Sequence, residues 1–269
     1  MDYKKITKDL QRITKKVGDF LIESQKRVNA VEISEKSTNQ LVSEIDVTSE
    51  KMLVEEILML YPKAGFITEE NTIKTSQQDL IFIIDPLDGT TNFLHGLPLY
   101  SISIAATYKQ ELVSGVVLIP VLKECFYATK NEGSFLNGEK IRVSESENFE
   151  ESLLATGFPY YNFKEMDSYL DCLQYLMENT RGLRRMGSAA IDLAYTAAGR
   201  FCGFYELHLN TWDVAAGALL VREAGGVYTD FKGNENDISG KEIVAGNKKI
   251  HAAMKALFAD KFQDKPKQS

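Results

Sequence analysis

The sequence predicts a mixed α+β fold with a largely antiparallel first sheet, and three observations carry that expectation. An unbroken apolar run, Leu80-Ile81-Phe82-Ile83-Ile84, is followed by four short strand-like segments between Ser101 and Ser144. Before them lies a long stretch whose apolar residues recur every three or four positions, the helical period. After Ser152, helical and extended patterns alternate to the end of the chain.

In chain order, Ile6, Leu10, Ile13, Val17, Phe20, Leu21 and Val28 form one stripe, which predicts a long amphipathic first helix. A second helix is expected from Ser49 to Leu60, because Met52, Leu53, Ile57 and Leu60 share a face and Tyr61-Pro62 ends it. Asp46 and Thr48 then fall just before its start, where a carboxylate also serves as a cap. Phe66-Ile67 predicts a short strand that ends near Glu69-Glu70. Leu80–Ile84 shows no polar alternation, so it predicts a strand buried on both faces, delivering Asp85 at its carboxyl end into a polar loop. Ser101–Tyr108, Leu112–Pro120, Glu124–Thr129 and Lys140–Ser144 predict an antiparallel meander, with Lys109-Gln110-Glu111 as one turn and Asn137-Gly138 as a type I′ hairpin signal.

The second half is expected to hold helices at Phe163–Asn179, Ser188–Ala198 and Trp212–Glu223, the last ended by Gly225-Gly226. Strands are expected at Phe201–Leu207, Val227–Thr229 and Glu242–Val244, a final helix at Asn247–Phe258, and a frayed polar end at Gln263–Ser269. The glutamate-rich stretch Glu145–Ser152 separates the two patterns, which sets an N-terminal half at residues 1–147 and a C-terminal half at 148–269.

With 269 residues, 44% of them hydrophobic and 26% charged, the chain has the composition of a folded protein. Its net charge of −7 offers no broad positive field, which argues against sequence-independent capture of nucleic acid. The longest apolar stretch, near Leu112–Leu122, is too short to span a bilayer and no apolar signal core follows Met1, so a cytoplasmic protein without membrane partners is expected. Cys125, Cys172 and Cys202 are scattered and odd in number, which fits reduced packing residues. His95, His208 and His251 are equally scattered and read as local hydrogen-bonding groups. Gly133–Lys140 approaches a phosphate-binding P-loop, but Glu139 intervenes before the lysine and no serine or threonine follows it. Arg181, Arg184 and Arg185 receive no assignment from sequence.

The chemistry is expected in the acidic residues. Asp85-Pro86-Leu87-Asp88-Gly89-Thr90-Thr91 places two carboxylates three residues apart with a stiff proline between them. A hard cation such as Mg²⁺ takes oxygen ligands, so carboxylates and a backbone carbonyl in a rigid turn suit it. Gly89 then permits close backbone approach, and the N–H groups of Gly89 and Thr90 could face an anion. Each acid alone also has an ordinary reading: a turn for Asp85 or Asp88, a surface pair for Glu69-Glu70, a helix cap for Asp46 or Asp213.

Taken together, Glu69-Glu70, Asp85 through Phe93 and Trp212-Asp213-Val214-Ala215-Ala216-Gly217 resemble the signature of the inositol monophosphatase family, in order and over nearly the whole chain. The resemblance implies an αβαβα sandwich with a second, mixed sheet, a site between the two halves, a homodimer, lithium inhibition and two or three Mg²⁺ per site. It implies that Glu69, Asp85 and the Leu87 carbonyl hold one Mg²⁺, that Asp85, Asp88 and Asp213 hold another, and that a third leans on Glu69. Asp46 and Thr90 would form a hydrogen-bonded pair that orients or deprotonates the attacking water, with Glu69 beside them. Asp88, Gly89 and Thr90 would meet the phosphate, and Gly187-Ser188-Ala189 with Glu206 the alcohol. Leu87, which would contribute only its carbonyl, stands where isoleucine is frequent, and Ser188, in the segment that would meet the alcohol, stands where threonine is frequent.

The activity so implied is magnesium-dependent hydrolysis of inositol monophosphate or a related small phosphorylated alcohol, by direct in-line attack of metal-activated water. No isolated nucleophile with an adjacent base suggests a phospho-enzyme. Alternatives on the same scaffold are fructose 1,6-bisphosphate, the 2′-phosphate of NADP and 3′-phosphoadenosine 5′-phosphate. An alternative of another class is a non-catalytic partner of the transcription machinery.

Overall fold

The computed structural model describes residues 1–29, 35–73, 78–159, 163–235, 238–239 and 241–262; the polar end expected at Gln263–Ser269 lies outside them. The chain opens with two long helices, α1 (Tyr3–Asn29) and α2 (Glu35–Leu60). Strands β1 (Gly65–Thr68) and β2 (Leu80–Asp88) follow, then a five-residue helix α3 (Thr90–Leu94). The meander comprises β3 (Ser101–Tyr108), β4 (Glu111–Ile119), β5 (Glu124–Thr129), β6 (Gly133–Leu136) and β7 (Glu139–Ile141). Next come β8 (Leu153–Thr156), α4 (Met166–Asn179), β9 (Gly182–Arg184), α5 (Ala189–Ala197) and β10 (Gly203–Leu207). The chain continues through α6 (Thr211–Glu223), β11 (Val227–Thr229), β12 (Glu242–Gly246) and α7 (Lys248–Lys261).

The first sheet runs in the order β1-β2-β3-β4-β5-β6-β7, with β1 parallel to β2 and every other pair antiparallel. The second runs β11-β12-β10-β8-β9 and is mixed, since β10, β8 and β9 are parallel while β12 opposes both its neighbours. Apolar clusters mark the layers. Ile6, Leu10, Ile13 and Val17 of α1 pack with Leu53 and Ile57 of α2 against one face of the first sheet. Helices α5 and α6 fill the space between the sheets, and α4 and α7 cover the outer face of the second. The layering is therefore αβαβα. Because helices cover both faces of the first sheet, β3 is buried along nearly its whole length, which explains the continuous apolar runs of its central strands.

Both expected hairpin turns form: Asn137-Gly138 takes the conformation its residues favour, while Lys109-Gln110 is held at positive φ by the pairing of its flanking strands. Asn137 and Gly138 both have positive φ, 49° and 96°, between the paired residues Leu136 and Glu139, and Lys109 and Gln110 do the same between β3 and β4. Other expectations need correction. The second helix begins at Glu35 rather than Ser49, so Asp46 lies inside it and does not cap it. The hairpin strand expected at Lys140–Ser144 is β7, ending at Ile141, and its partner β6 was not anticipated. Strands β8 and β9 were missed because four and three residues are too few to establish an alternation. Strand β2 does not give way to a loop at Asp85 but continues to Asp88 through an irregularity that shapes the site.

Candidate active site

Asp85 pairs with Ser103 and Asp88 with Ser101, so three steps along β2 match two along β3. This is a bulge. Pro86 has no N–H to give to the ladder, and the extra residue re-aims the side chains around it. Leu87 N–H donates to Asp85 Oδ1 at 3.0 Å, and the Leu87 carbonyl accepts from Thr90 Oγ1 at 3.0 Å. Gly89 follows with φ 91°; a Cβ there would stand 2.9 Å from the Leu99 carbonyl, so only glycine fits this turn.

Three further elements converge on the bulge. Glu69 lies at the end of β1, held by its N–H to the Ile84 carbonyl at 3.3 Å. Ser188 caps α5, accepting from Ile191 N–H, while its hydroxyl donates to Asp88 Oδ2 at 2.6 Å; the Ala190 N–H donates to the same oxygen at 2.8 Å. Asp213 occupies the first turn of α6, where it completes a capping box with Asn210 and accepts the Asn210 N–H at 2.6 Å. The cap reading of Asp213 is correct, and the same carboxylate faces the site.

Glu69, Asp85, Asp88 and Asp213 form one electrostatic cluster. Burial pushes Asp85, only 2% exposed, well above the usual carboxylate range, and the charges of Glu69, Asp88 and Asp213 add to it. Burial likewise raises Glu69, Asp88 and Asp213, with their acidic neighbours contributing. Among the described residues no three of these acids already stand as a closed metal shell, although Glu69 and Asp213 each lie close enough to Asp85 to shift its ionisation. Like charges gathered at low exposure repel, and a divalent cation is the group that relieves such repulsion. The donor set is all oxygen, as Mg²⁺ requires.

Asp46 approaches from α2. It is 7% exposed, its Oδ1 has no hydrogen-bond partner, and burial with Glu69, Glu70 and Glu50 nearby pushes it up to about 8. The hydrogen-bonded pair expected between Asp46 and Thr90 is not formed, because the Thr90 hydroxyl is engaged by Leu87. Thr48, expected beside Asp46 at a cap, instead donates back to the Glu44 carbonyl within the helix.

The cleft above the cluster has a volume of about 340 Å³, and Glu69, Asp88, Thr90, Ser188, Glu206 and Asp213 are among its walls. Gly89, Gly187 and Ala189 also line it. Glu206 projects from β10 and is pushed up to about 8 by burial and by Asp88, with Arg185 acting in the opposite sense. Its carboxylate occupies the space a side chain on Gly157 would need: a Cβ there would lie 1.8 Å from Oε1.

Sequence reasoning missed several residues that build the cleft. Asn92 donates to the Leu99 and Met186 carbonyls at 2.6 and 2.8 Å, tying α3 to the loop before α5. Arg185, left unassigned by sequence, lines the cleft with its guanidinium 5.8 Å from the Phe158 ring. Asp192 is buried behind Ser188 with Oδ1 unpartnered. Only the polarity of Asp192 in an otherwise apolar helix stretch signalled it in sequence.

A model of the inositol monophosphatase family matches residues 2–266. The Nus factor SuhB of Pseudomonas aeruginosa is 42% identical over 248 residues, spanning 90% of this chain and 92% of the relative. The Nus factor SuhB of Escherichia coli is 41% identical over 254 residues, spanning 94% and 95%. Among solved structures, the suhB protein of Bartonella henselae aligns with a TM-score of 0.85 at 36% identity, covering 94% of this chain and 98% of that one. An IMPase of Thermotoga maritima aligns with a TM-score of 0.80 at 36% identity, covering 93% and 95%.

Proposed function

The chain belongs to the inositol monophosphatase family, and from that membership we propose that it is a magnesium-dependent phosphomonoesterase acting on inositol monophosphate or a similar small phosphorylated alcohol. The observation that carries the proposal is that Glu69, Asp88 and Asp213 line one cleft and all three act electrostatically on the buried Asp85. Glu69, Asp85 and the Leu87 carbonyl would hold one Mg²⁺, Asp85, Asp88 and Asp213 a second, and Glu69 would support a third. Bound there, the cations would supply positive charge to the phosphoryl oxygens and lower the pKa of water.

The chain's own residues supply position and proton management. The Gly89 and Thr90 N–H groups receive phosphate oxygens at a turn that only glycine permits. Asp46, raised above the usual carboxylate range by burial and by the charges of Glu69, Glu70 and Glu50, would orient the attacking water beside Glu69 and take up its proton. The Thr90 hydroxyl fixes the Leu87 carbonyl, and the Ser188 hydroxyl fixes Asp88. Glu206, with Gly187 and Ala189, meets the alcohol, in a cleft at the small end of the range for small-molecule sites, about 300–1,000 Å³. Family membership also supports a homodimer, inhibition by lithium and a cytoplasmic location; among the described residues no helix is long and apolar enough to cross a membrane.

Phosphate release measured with Mg²⁺ across inositol 1-phosphate, fructose 1,6-bisphosphate and NADP tests the reading. Fastest turnover of inositol 1-phosphate is expected. A clear preference for either of the others would move the assignment to that substrate, and no release from any would overturn it. A second reading, a partner of the transcription machinery, is supported by the name Nus factor carried by relatives more than 40% identical. An Asp88→Asn chain that loses phosphatase activity yet keeps its full effect in a transcription assay would establish that role as separate.

A further inference from the structure

One buried acid stands outside the proposed chemistry. Glu50, in α2, is 0% exposed, yet its side chain faces no lysine or arginine in any ion pair among the described residues. It accepts instead from the chain that carries Glu69: Oε2 from the Glu70 N–H at 2.7 Å, and Oε1 from the Thr72 N–H at 2.8 Å and the Thr72 hydroxyl at 2.7 Å. Three donors replace the water that burial removed.

The consequence is a loop held from both sides. Glu69 N–H is tied to β2 through the Ile84 carbonyl, and the next peptide N–H is tied to α2 through Glu50. Between these anchors Asn71 adopts φ 53°, and its side-chain amide closes the turn on the Glu69 carbonyl at 2.9 Å. Glu50 lies four residues after Asp46, so one helical face presents both acids to the same loop.

We propose that Glu50 is the positioning residue of the divalent-cation site: by clamping the 70–72 backbone to α2 it fixes where the Glu69 carboxylate stands. It does not itself touch cation or substrate. The proposal rests on the phosphatase reading, which assigns Glu69 as a ligand. Loop residues carry little of their own rigidity, so the orientation of such a ligand is set by the groups that hold its backbone. Glutamine at position 50 keeps the shape but replaces one acceptor with a donor, which then faces an N–H group.

The test is calorimetric titration of the full chain with Mg²⁺ alone, together with amide exchange of residues 69–72 and a melting curve. Glu50→Gln is expected to weaken Mg²⁺ binding by about 10- to 100-fold, the usual effect of losing an outer-shell partner. Its amides at Glu70 and Thr72 should exchange faster, and kcat at saturating Mg²⁺ should stay within a few-fold of wild type. Thr72→Val removes only the hydroxyl bond and is expected to shift Mg²⁺ affinity in the same direction by a smaller factor; it decides the matter if Glu50→Gln does not fold. Glu50→Asp, one methylene short, should not restore affinity. Unchanged Mg²⁺ affinity in a folded Glu50→Gln chain, or in Thr72→Val if the first does not fold, overturns the proposal even where melting temperature falls. A wild-type chain that binds no Mg²⁺ overturns the phosphatase reading itself, and the assignment of Glu50 with it.

Discussion

Asp88 Oδ2 accepts from the Ser188 hydroxyl and the Ala190 N–H, and Asp88 shares its surroundings with Asp213. Asparagine at this position keeps the size and one acceptor but removes a negative charge from a crowded cluster. Asp88→Asn should therefore lose at least about 10²-fold in phosphate release, comparable to losing a preorganised charge-stabilising group. The same variant should melt at the wild-type temperature or above it in metal-free buffer, because like-charge repulsion falls. A lowered melting temperature with activity retained would contradict both halves of the argument. At this scale the sequence was most legible where side-chain chemistry and backbone constraint coincide: Asp85, Pro86, Asp88 and Gly89 are adjacent and mutually restrictive. Asp46 was readable only by resemblance, since its position inside a helix removes the capping role that sequence suggested. Glu50 gave no signal, because its partners, two backbone N–H groups and the Thr72 hydroxyl, come near only in the folded chain.

Helix α6 shows how closely the elements pack. A Cβ on Gly115 of β4 would lie 2.9 Å from the Ala216 carbonyl, and one on Gly217 would lie 2.4 Å from Leu193 Cβ of α5. Alanine in a helix gains about 0.5–1 kcal/mol over glycine, but overpacking of this kind costs about 1–3 kcal/mol, so Gly217→Ala should destabilise the fold. Chemical denaturation checks it, and a stabilised variant would show that α5 can give way. On α7, His251 is buried against the Thr229 hydroxyl at 2.9 Å, and burial, with Lys255 adding, pushes its pKa down from 6.5 to about 4. Between those values the unfolded chain binds the proton and the folded chain does not, so this residue withdraws stability as pH falls through that window. The urea midpoint of His251→Gln should accordingly fall less than that of wild type between pH 7 and pH 4.5; equal falls would remove His251 from the account. Helix α1 was legible because its apolar stripe is regular, and the Asn137-Gly138 turn because few other pairs accept two positive φ angles. Helix α2 was read too short, and the bulge in β2 was read as a loop, because a strand that bends around a proline carries no alternation to mark it.

The whole molecule is a five-layered stack, and three of its layers bring acidic side chains toward the same cleft. Asp85 and Asp88 come from the bulged strand of the first sheet, Glu69 from the end of its parallel neighbour, Asp213 from the helix layer between the sheets, and Glu206 from the second sheet. Sequence gave the order of these residues and the α+β class; the convergence itself depends on pairings such as β10 with β8 that link residues far apart in the chain. The central claim is that these acids seat divalent cations at the floor of the cleft. Its most direct test is anomalous X-ray scattering from a crystal of the chain soaked with Mn²⁺, an oxygen-seeking probe with Mg²⁺-like coordination. The account predicts one peak bonded to Glu69, Asp85 and the Leu87 carbonyl and another to Asp85, Asp88 and Asp213, near the Mg²⁺–oxygen distance of about 2.0–2.1 Å. Peaks confined to other surfaces, in a chain that still releases phosphate, would contradict it.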